Sequence, residues 1–128
     1  MSELHVIFGS GPLAQAVQRA LLRRGRQVKM VNRSGKRPAG VPAEVEIAAG
    51  DAYSPDFTRA VTQGAAVVYQ CAQPEYHQWV TQFPSLQAAI LAGAAENRAK
   101  LIVAENLYMC GDTDGQPLHE GLPYSART

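Results

Sequence analysis

Gly9, Gly11 and Ala14 punctuate the stretch Gly9-Ser10-Gly11-Pro12-Leu13-Ala14, which follows directly on the apolar run Leu4-His5-Val6-Ile7-Phe8. A Gly-x-Gly-x-x-Ala turn between a strand and a helix has the chemistry of phosphate recognition. The chain turns tightly at Gly9, and the bare backbone at Gly11 lets a phosphate approach. Ala14 is small enough for the helix to pack close to the strand. A dinucleotide pyrophosphate would sit on the unpaired N–H groups at the helix N-terminus, with Ser10, Pro12 and Leu13 completing the cradle. An ordinary tight βα turn is the plainer reading of the same glycines. Their place between a strand and a helix, near the start of the chain, favours the nucleotide.

A second candidate group follows at Asn32-Arg33-Ser34-Gly35-Lys36-Arg37. An acidic residue at the end of the second strand would bind the ribose 2′-hydroxyl of NAD. Here there is no carboxylate to repel a 2′-phosphate, and three cations and a hydroxyl are at hand to bind one. Asn32, Arg33 and Ser34 are the candidates, and NADP is favoured over NAD. A solvated basic loop is the alternative.

Two roles fit Asp51, which follows Gly50 after the third strand: accepting a hydrogen bond from the adenine amino group, or capping the turn that runs on through Ala52. Cys71, Ala72 and Gln73, at the end of the fourth strand, would line the crevice, where small residues let a cofactor lie flat. Simple strand packing is the other reading. Tyr76 and Trp79 either cover the crevice or pack beside it. His5 alternates within the first strand and reads as structural. His77 and His119 lie in loop-like segments, and no histidine pair has ligand spacing, so no metal is expected. Cys71 and Cys110 have neither metal nor disulfide spacing. They read as small wall or core residues, reduced in a cytoplasmic protein.

The elements that must position these residues alternate. Strands are expected at about Leu4–Phe8, Gln27–Asn32, Val45–Ala49, Ala66–Ala72 and Lys100–Ala104. Helices are expected at about Pro12–Arg24, from Ser54-Pro55 to Gly64, and at Pro84–Asn97. In the first helix Leu13, Ala16, Val17, Ala20 and Leu21 recur at helical spacing, with Pro12 in the first turn and Gly25 as the stop. The alternation implies a Rossmann-type α/β fold. It is a three-layer αβα sandwich around a parallel sheet of about five strands in the order 3-2-1-4-5, with the ligand crevice between strands 1 and 4. Residues 1–105 read as the dinucleotide-binding domain, and residues 106–128, broken by glycine and proline, as a loop-rich segment.

Composition agrees with one globular domain: 128 residues, 46% hydrophobic and 18% charged. No apolar run is long enough for a membrane span, and no signal peptide is visible. The net charge of +1 hides an asymmetry, because eight of the twelve Lys and Arg fall in residues 1–43 beside a single acid, Glu3. Arg19, Arg23, Arg24 and Arg26 lie on or just after the first helix and read as a solvated face. No groove-reading motif accompanies them, so nucleic acid is not expected as a partner.

Taken together, Gly9–Ala14, Val31-Asn32-Arg33-Ser34-Gly35, Gly50-Asp51-Ala52, the segment from Pro74 to Trp79 and the segment from Glu105 to Gly111 resemble the N-terminal portion of NAD-dependent epimerase/dehydratase-like proteins. These belong to the extended or atypical short-chain dehydrogenase/reductase superfamily. The resemblance implies a nicotinamide cofactor, a small-molecule substrate, and oxidoreductase or epimerase chemistry. It also exposes departures. The usual turn of the superfamily is Gly-x-x-Gly-x-x-Gly. At its usual Ser or Thr position, five residues before a glycine, this sequence has Asn106. Its catalytic Tyr-x-x-x-Lys is absent, since Tyr124 is followed four residues on by Thr128. The expectation is a cofactor-binding fragment, inactive alone and associating into a homo-oligomer through an exposed sheet edge. A non-catalytic dinucleotide sensor is the alternative.

Overall fold

The computed structural model describes residues 2–105 and 111–124. Five strands, β1 (Leu4–Phe8), β2 (Gln27–Asn32), β3 (Glu46–Ala49), β4 (Ala65–Gln70) and β5 (Lys100–Val103), form one parallel sheet in the order β3-β2-β1-β4-β5. Helices α1 (Pro12–Arg23), α2 (Pro55–Val61) and α3 (Trp79–Glu96) connect them, and residues 111–124 contain no helix or strand. The order is the expected one. It follows from handedness: right-handed crossovers put α1 on one face while the chain builds outward from β1 to β3, and put α2 and α3 on the other face once it returns to β4.

β1 lies at the centre and is apolar on both faces, as a doubly covered parallel strand must be. Val6 and Phe8 point into a core with Val31, Val68, Leu86 and Ile90. Ile7 points the opposite way, into a core with Ala14, Leu21, Val28 and Met30. No helix joins β2 to β3. Instead the connecting loop inserts Val41 and Val45 into the α1-side core. Arg37 holds that loop in place, its guanidinium donating to the Pro42 carbonyl at 2.6 Å and the Val45 carbonyl at 2.7 Å.

Helix ends follow local chemistry. α1 begins at Pro12, whose missing N–H costs nothing in a first turn. It stops at Gly25, at φ 73°, with the Gly25 N–H donating to the Leu22 carbonyl and the Arg26 N–H to the Leu21 carbonyl, the double bond pattern of a glycine C-terminus. Ser54 caps α2 by accepting from the Phe57 N–H at 3.3 Å.

Three boundaries differ from the sequence expectation by more than a residue. α2 ends at Val61 rather than Gly64, and the Ala65 N–H that opens β4 already donates to the Thr62 carbonyl. β4 ends at Gln70 rather than Ala72: the Cys71 N–H still donates to the Phe8 carbonyl, after which the chain leaves the sheet. α3 begins at Trp79, five residues before Pro84, with the turn Tyr76–Gln78 leading into it. Pro84 therefore lies inside the helix. It is exposed, so the Val80 carbonyl it leaves without an N–H partner lies on the solvent side. The preceding turn is secured by ring contacts of Trp79 with Tyr76 and Phe83, at 4.7 and 5.4 Å between centroids.

α2 and α3 meet in a polar-laced seam. The Thr58 hydroxyl donates to the Ala89 carbonyl at 2.6 Å, and the Asn97 amide donates to Thr62 Oγ1, the Arg59 carbonyl and the Gly93 carbonyl. Gly93 makes the approach possible, because a Cβ there would lie 2.6 Å from the Thr58 carbonyl oxygen. That neighbour is backbone and cannot swing aside. Gly93→Ala is therefore expected to destabilise the fold by about 1–3 kcal/mol, the usual cost of overpacking. Urea unfolding would show this as a lowered midpoint; an unchanged midpoint would refute the close packing.

Candidate dinucleotide site

The crevice opens at the C-terminal ends of β1 and β4, where the strand order reverses. It has two lobes of about 370 Å³ each, joined at Gly9, Ser10, Ala72 and Gln73. One lobe runs along the glycine turn and the start of α1, past Gly11, Pro12 and Leu13, to Cys71 and Phe83. The other passes Asn32 and Arg33 to Gly50, Ala52 and Tyr53.

Gly9 fixes the join. Its φ is 120°, its N–H donates to the Val31 carbonyl at 2.9 Å, and a Cβ there would lie 3.0 Å from the backbone of Cys71 and Ala72. Gly11 is the opposite case. A Cβ there would meet nothing within 4 Å, so the space belongs to whatever approaches from the crevice. Gly11 is also the N-cap of α1 and supplies no side-chain cap, and the first turn carries no acid. The helix N-terminus is thus left positive and open, as an anion site requires. Ala14 is buried against the sheet, as its small size allows.

The basic loop divides its labour. Asn32 lines the second lobe, but its side chain is occupied. Oδ1 accepts from the Gly35 N–H at 2.6 Å, and Nδ2 donates to the Lys36 carbonyl at 2.9 Å with a longer contact to Ser10 Oγ at 3.4 Å. Ser34 Oγ accepts from the Lys36 N–H, and neither Ser34 nor Lys36 lines the crevice. Arg37 is committed to the loop carbonyls. Among the cations of this loop Arg33 alone lines the lobe, exposed and without a hydrogen bond or ion pair to the described residues. Glu75 lines the same lobe and does not pair with it.

Asp51 takes the turn role: Oδ1 accepts from the Tyr53 N–H at 2.9 Å and its carbonyl from the Ser54 N–H. It does not line the crevice, whereas Ala52 does. Trp79 packs beside the crevice, its indole N–H donating to the Pro74 carbonyl at 3.1 Å, and Phe83 carries that aromatic group into the wall. His5 is buried and structural. Nδ1 lies 2.8 Å from the Tyr69 hydroxyl and Nε2 lies 3.2 Å from Glu3, with the His5 and Tyr69 rings stacked. Burial pushes the Tyr69 phenol above its ordinary pKa. Among the described residues no group of three or more His, Cys, Asp or Glu is placed to hold a metal ion. Asn106 and Cys110 lie outside the described residues.

Sequence reasoning missed Tyr53, Gln78, Gln82 and Leu86, which line the second lobe. The last three stand four residues apart, Gln78 at the end of the turn that leads into α3, and Gln82 and Leu86 on one face of the helix. Starting the helix at Pro84 placed the two glutamines in a loop and hid that spacing.

A reversal of strand order, and a crevice that opens at it beside a glycine turn leading into a helix, decide the fold. The chain has the Rossmann fold. Solved structures agree. UDP-glucose 4-epimerase from Stenotrophomonas maltophila, with bound NAD and formylated UDP-arabinopyranose, matches 100% of this chain and 44% of its own at TM-score 0.82 and 16% identity. UDP-N-acetylglucosamine 4-epimerase from Bacillus cereus matches 98% of this chain and 43% of its own at TM-score 0.80 and 16% identity. A Rossmann-fold NAD(P)-binding family protein from Shigella flexneri matches 79% of this chain and 50% of its own at TM-score 0.66 and 18% identity. The chain spans about half the length of such structures. No protein-family model matches the sequence, and comparison with curated proteins gives no match.

Cys71 supplies a check on the Rossmann crevice. Its thiol lines the glycine-turn lobe, and burial raises its pKa. A raised pKa leaves it a thiol near neutrality, a wall residue rather than a nucleophile. Site-resolved alkylation followed by mass spectrometry should therefore give a pH–rate midpoint for Cys71 above that of a free thiol. A midpoint at or below the free value would contradict the buried setting.

Proposed function

We propose that this chain binds a nicotinamide dinucleotide, NADP in preference to NAD, as the cofactor-binding portion of an oxidoreductase or epimerase of the NAD-dependent epimerase/dehydratase type. The observation that carries the reading is the open, uncapped start of α1 at Gly11, beside a turn that Gly9 keeps free of side-chain atoms. The residues present fit the group. Gly9, Ser10, Gly11, Pro12 and Leu13 would hold the pyrophosphate. Arg33 would bind the 2′-phosphate with its unpaired guanidinium. Ala72 and Gln73, shared by both lobes, would form the floor where the cofactor crosses, and Cys71 and Phe83 would wall the nicotinamide half.

The neighbours support the class of ligand: one is solved with NAD and a UDP-sugar, and another from Bordetella bronchiseptica with NAD and UDP. A bound nicotinamide would supply hydride transfer. The chain's own contribution is to orient it and to keep anionic charge at the helix terminus. Asn106 is the candidate at the superfamily's usual Ser or Thr position, where its amide would donate to a substrate carbonyl. Glu105 and Asn106, which depart from the superfamily's usual pattern, favour a second reading, a dinucleotide sensor without chemistry of its own.

Fluorescence titration with NADPH and NADH tests the proposal. NADPH should bind more tightly. Arg33→Gln should weaken NADPH by about 10–100-fold, the weight of a charge-assisted hydrogen bond, while leaving NADH nearly unchanged. Binding of neither dinucleotide overturns the site; tighter NADH overturns only the NADP preference.

A further inference from the structure

The glycine that opens the crevice to a phosphate also loosens the turn that must meet it. Ser10 and Gly11 line the glycine-turn lobe. The peptide between them is trans, so its carbonyl and the Gly11 N–H point opposite ways, and only one of them can face the lobe. An oxygen there would repel a pyrophosphate; an N–H would bind it. Flipping this peptide would carry φ of residue 11 from −79° into the positive region. A side chain would resist that change, and glycine does not. The choice weighs heavily here. Pro12, at the first position of α1, has already removed one of the free N–H groups of the helix start. The Gly11 N–H has no partner among the described residues.

Gln15 bears on that choice. Its side-chain Nε2 donates to the Ser10 carbonyl at 2.9 Å, and its backbone N–H donates to the Gly11 carbonyl at 3.0 Å. Gln15 itself lines neither lobe, so both carbonyls of the turn are drawn back to the helix and away from the crevice. The backbone bond is common to helix starts; the side-chain bond is particular to this one. We propose that Gln15 is a positioning residue, locking the Ser10–Gly11 peptide with its N–H toward the crevice, ready for a pyrophosphate. The inference rests on the dinucleotide reading above and adds to it a side chain that stands outside the crevice. The lock lets the turn use a glycine at the point of approach without the mobility that glycine brings.

Gln15→Met tests the lock, because it keeps the length and helix propensity of the side chain and removes the donor. In the isotope-labelled full chain, relaxation dispersion should show exchange at the Gly11 amide that the wild type lacks. Calorimetric titration should show NADPH weakened by about 3–10-fold, the weight of one hydrogen bond, while the urea midpoint stays unchanged. Adding Gly11→Ala to Gln15→Met should abolish the exchange. Alanine accepts the present φ but not the flipped one, and its Cβ would meet nothing within 4 Å. Unchanged NADPH affinity in Gln15→Met overturns the proposal, as does a loss of affinity without exchange at Gly11. A loss that comes with a lowered urea midpoint overturns it too, since a purely structural residue would give that result. If neither NADPH nor NADH binds the wild type, the dinucleotide reading fails and this inference falls with it, an outcome distinct from binding that Gln15→Met leaves unchanged.

Discussion

Everything at the crevice depends on how closely Gly9 approaches the exit of β4. Two adjacent parallel strands lie about 4.8 Å apart, and their chains must part at the same level for a ligand to enter between them. At Gly9 the chain takes a φ of 120° while lying against the backbone of Cys71 and Ala72. A side chain on Gly9 would fill the join between the two lobes and also force the β1 exit away from β4. The Gly9 N–H bond to Val31 on the other side keeps the turn from relaxing outward. One residue without a side chain thus sets both the width of the crevice and the direction in which α1 departs. That direction aims the free N–H groups of α1 at the opening.

Most of the scaffold was legible in the sequence because its signals are local and agree with one another. The apolar run of β1, the helical spacing of α1, Pro12 at its start and Gly25 at its stop all describe the same βα unit. The strand order followed from handedness, which sequence alternation is enough to invoke. The start of α3 was not legible, because Pro84 is a strong local start signal, and tertiary contacts overrode it. Aromatic packing of Trp79 and the exposed position of Pro84 are facts of the folded chain, not of the local sequence. The error propagated: with the first turn of α3 misplaced, Gln78 and Gln82 lost the four-residue spacing that would have put them on one wall. A turn role was one of the two readings open for Asp51, and its side chain serves the turn, whereas Ser34, expected as a phosphate ligand, accepts from the Lys36 N–H and does not line the crevice.

The loop after β2 shows why counting charges overstates a site. Lys36 and Arg37 stand within four residues of Arg33, yet only Arg33 lines the crevice. Arg37 is drawn away because the β2–β3 connection has no helix and must satisfy its carbonyls by other means. Two of those carbonyls, Pro42 and Val45, find the Arg37 guanidinium, which also keeps Val41 and Val45 in the core. Arg37, one of the three cations of the basic run, is there a structural clamp.

Asn32 connects this loop to the choice of cofactor. Its amide must accept from the Gly35 N–H and donate to the Lys36 carbonyl at once, and it also reaches toward Ser10 in the glycine turn. A carboxylate could accept from Gly35 but could donate to neither of the others, so the loop in this form excludes the acidic residue that would read a ribose 2′-hydroxyl. The missing acid at the tip of β2 is therefore a consequence of how the loop is built, whatever ligand it meets. On the proposed reading, discrimination passes to the next residue, because Arg33 has a charge that the loop does not use. Glu75 on the same lobe opposes it, and the balance between that cation and that anion decides how strongly a 2′-phosphate is preferred.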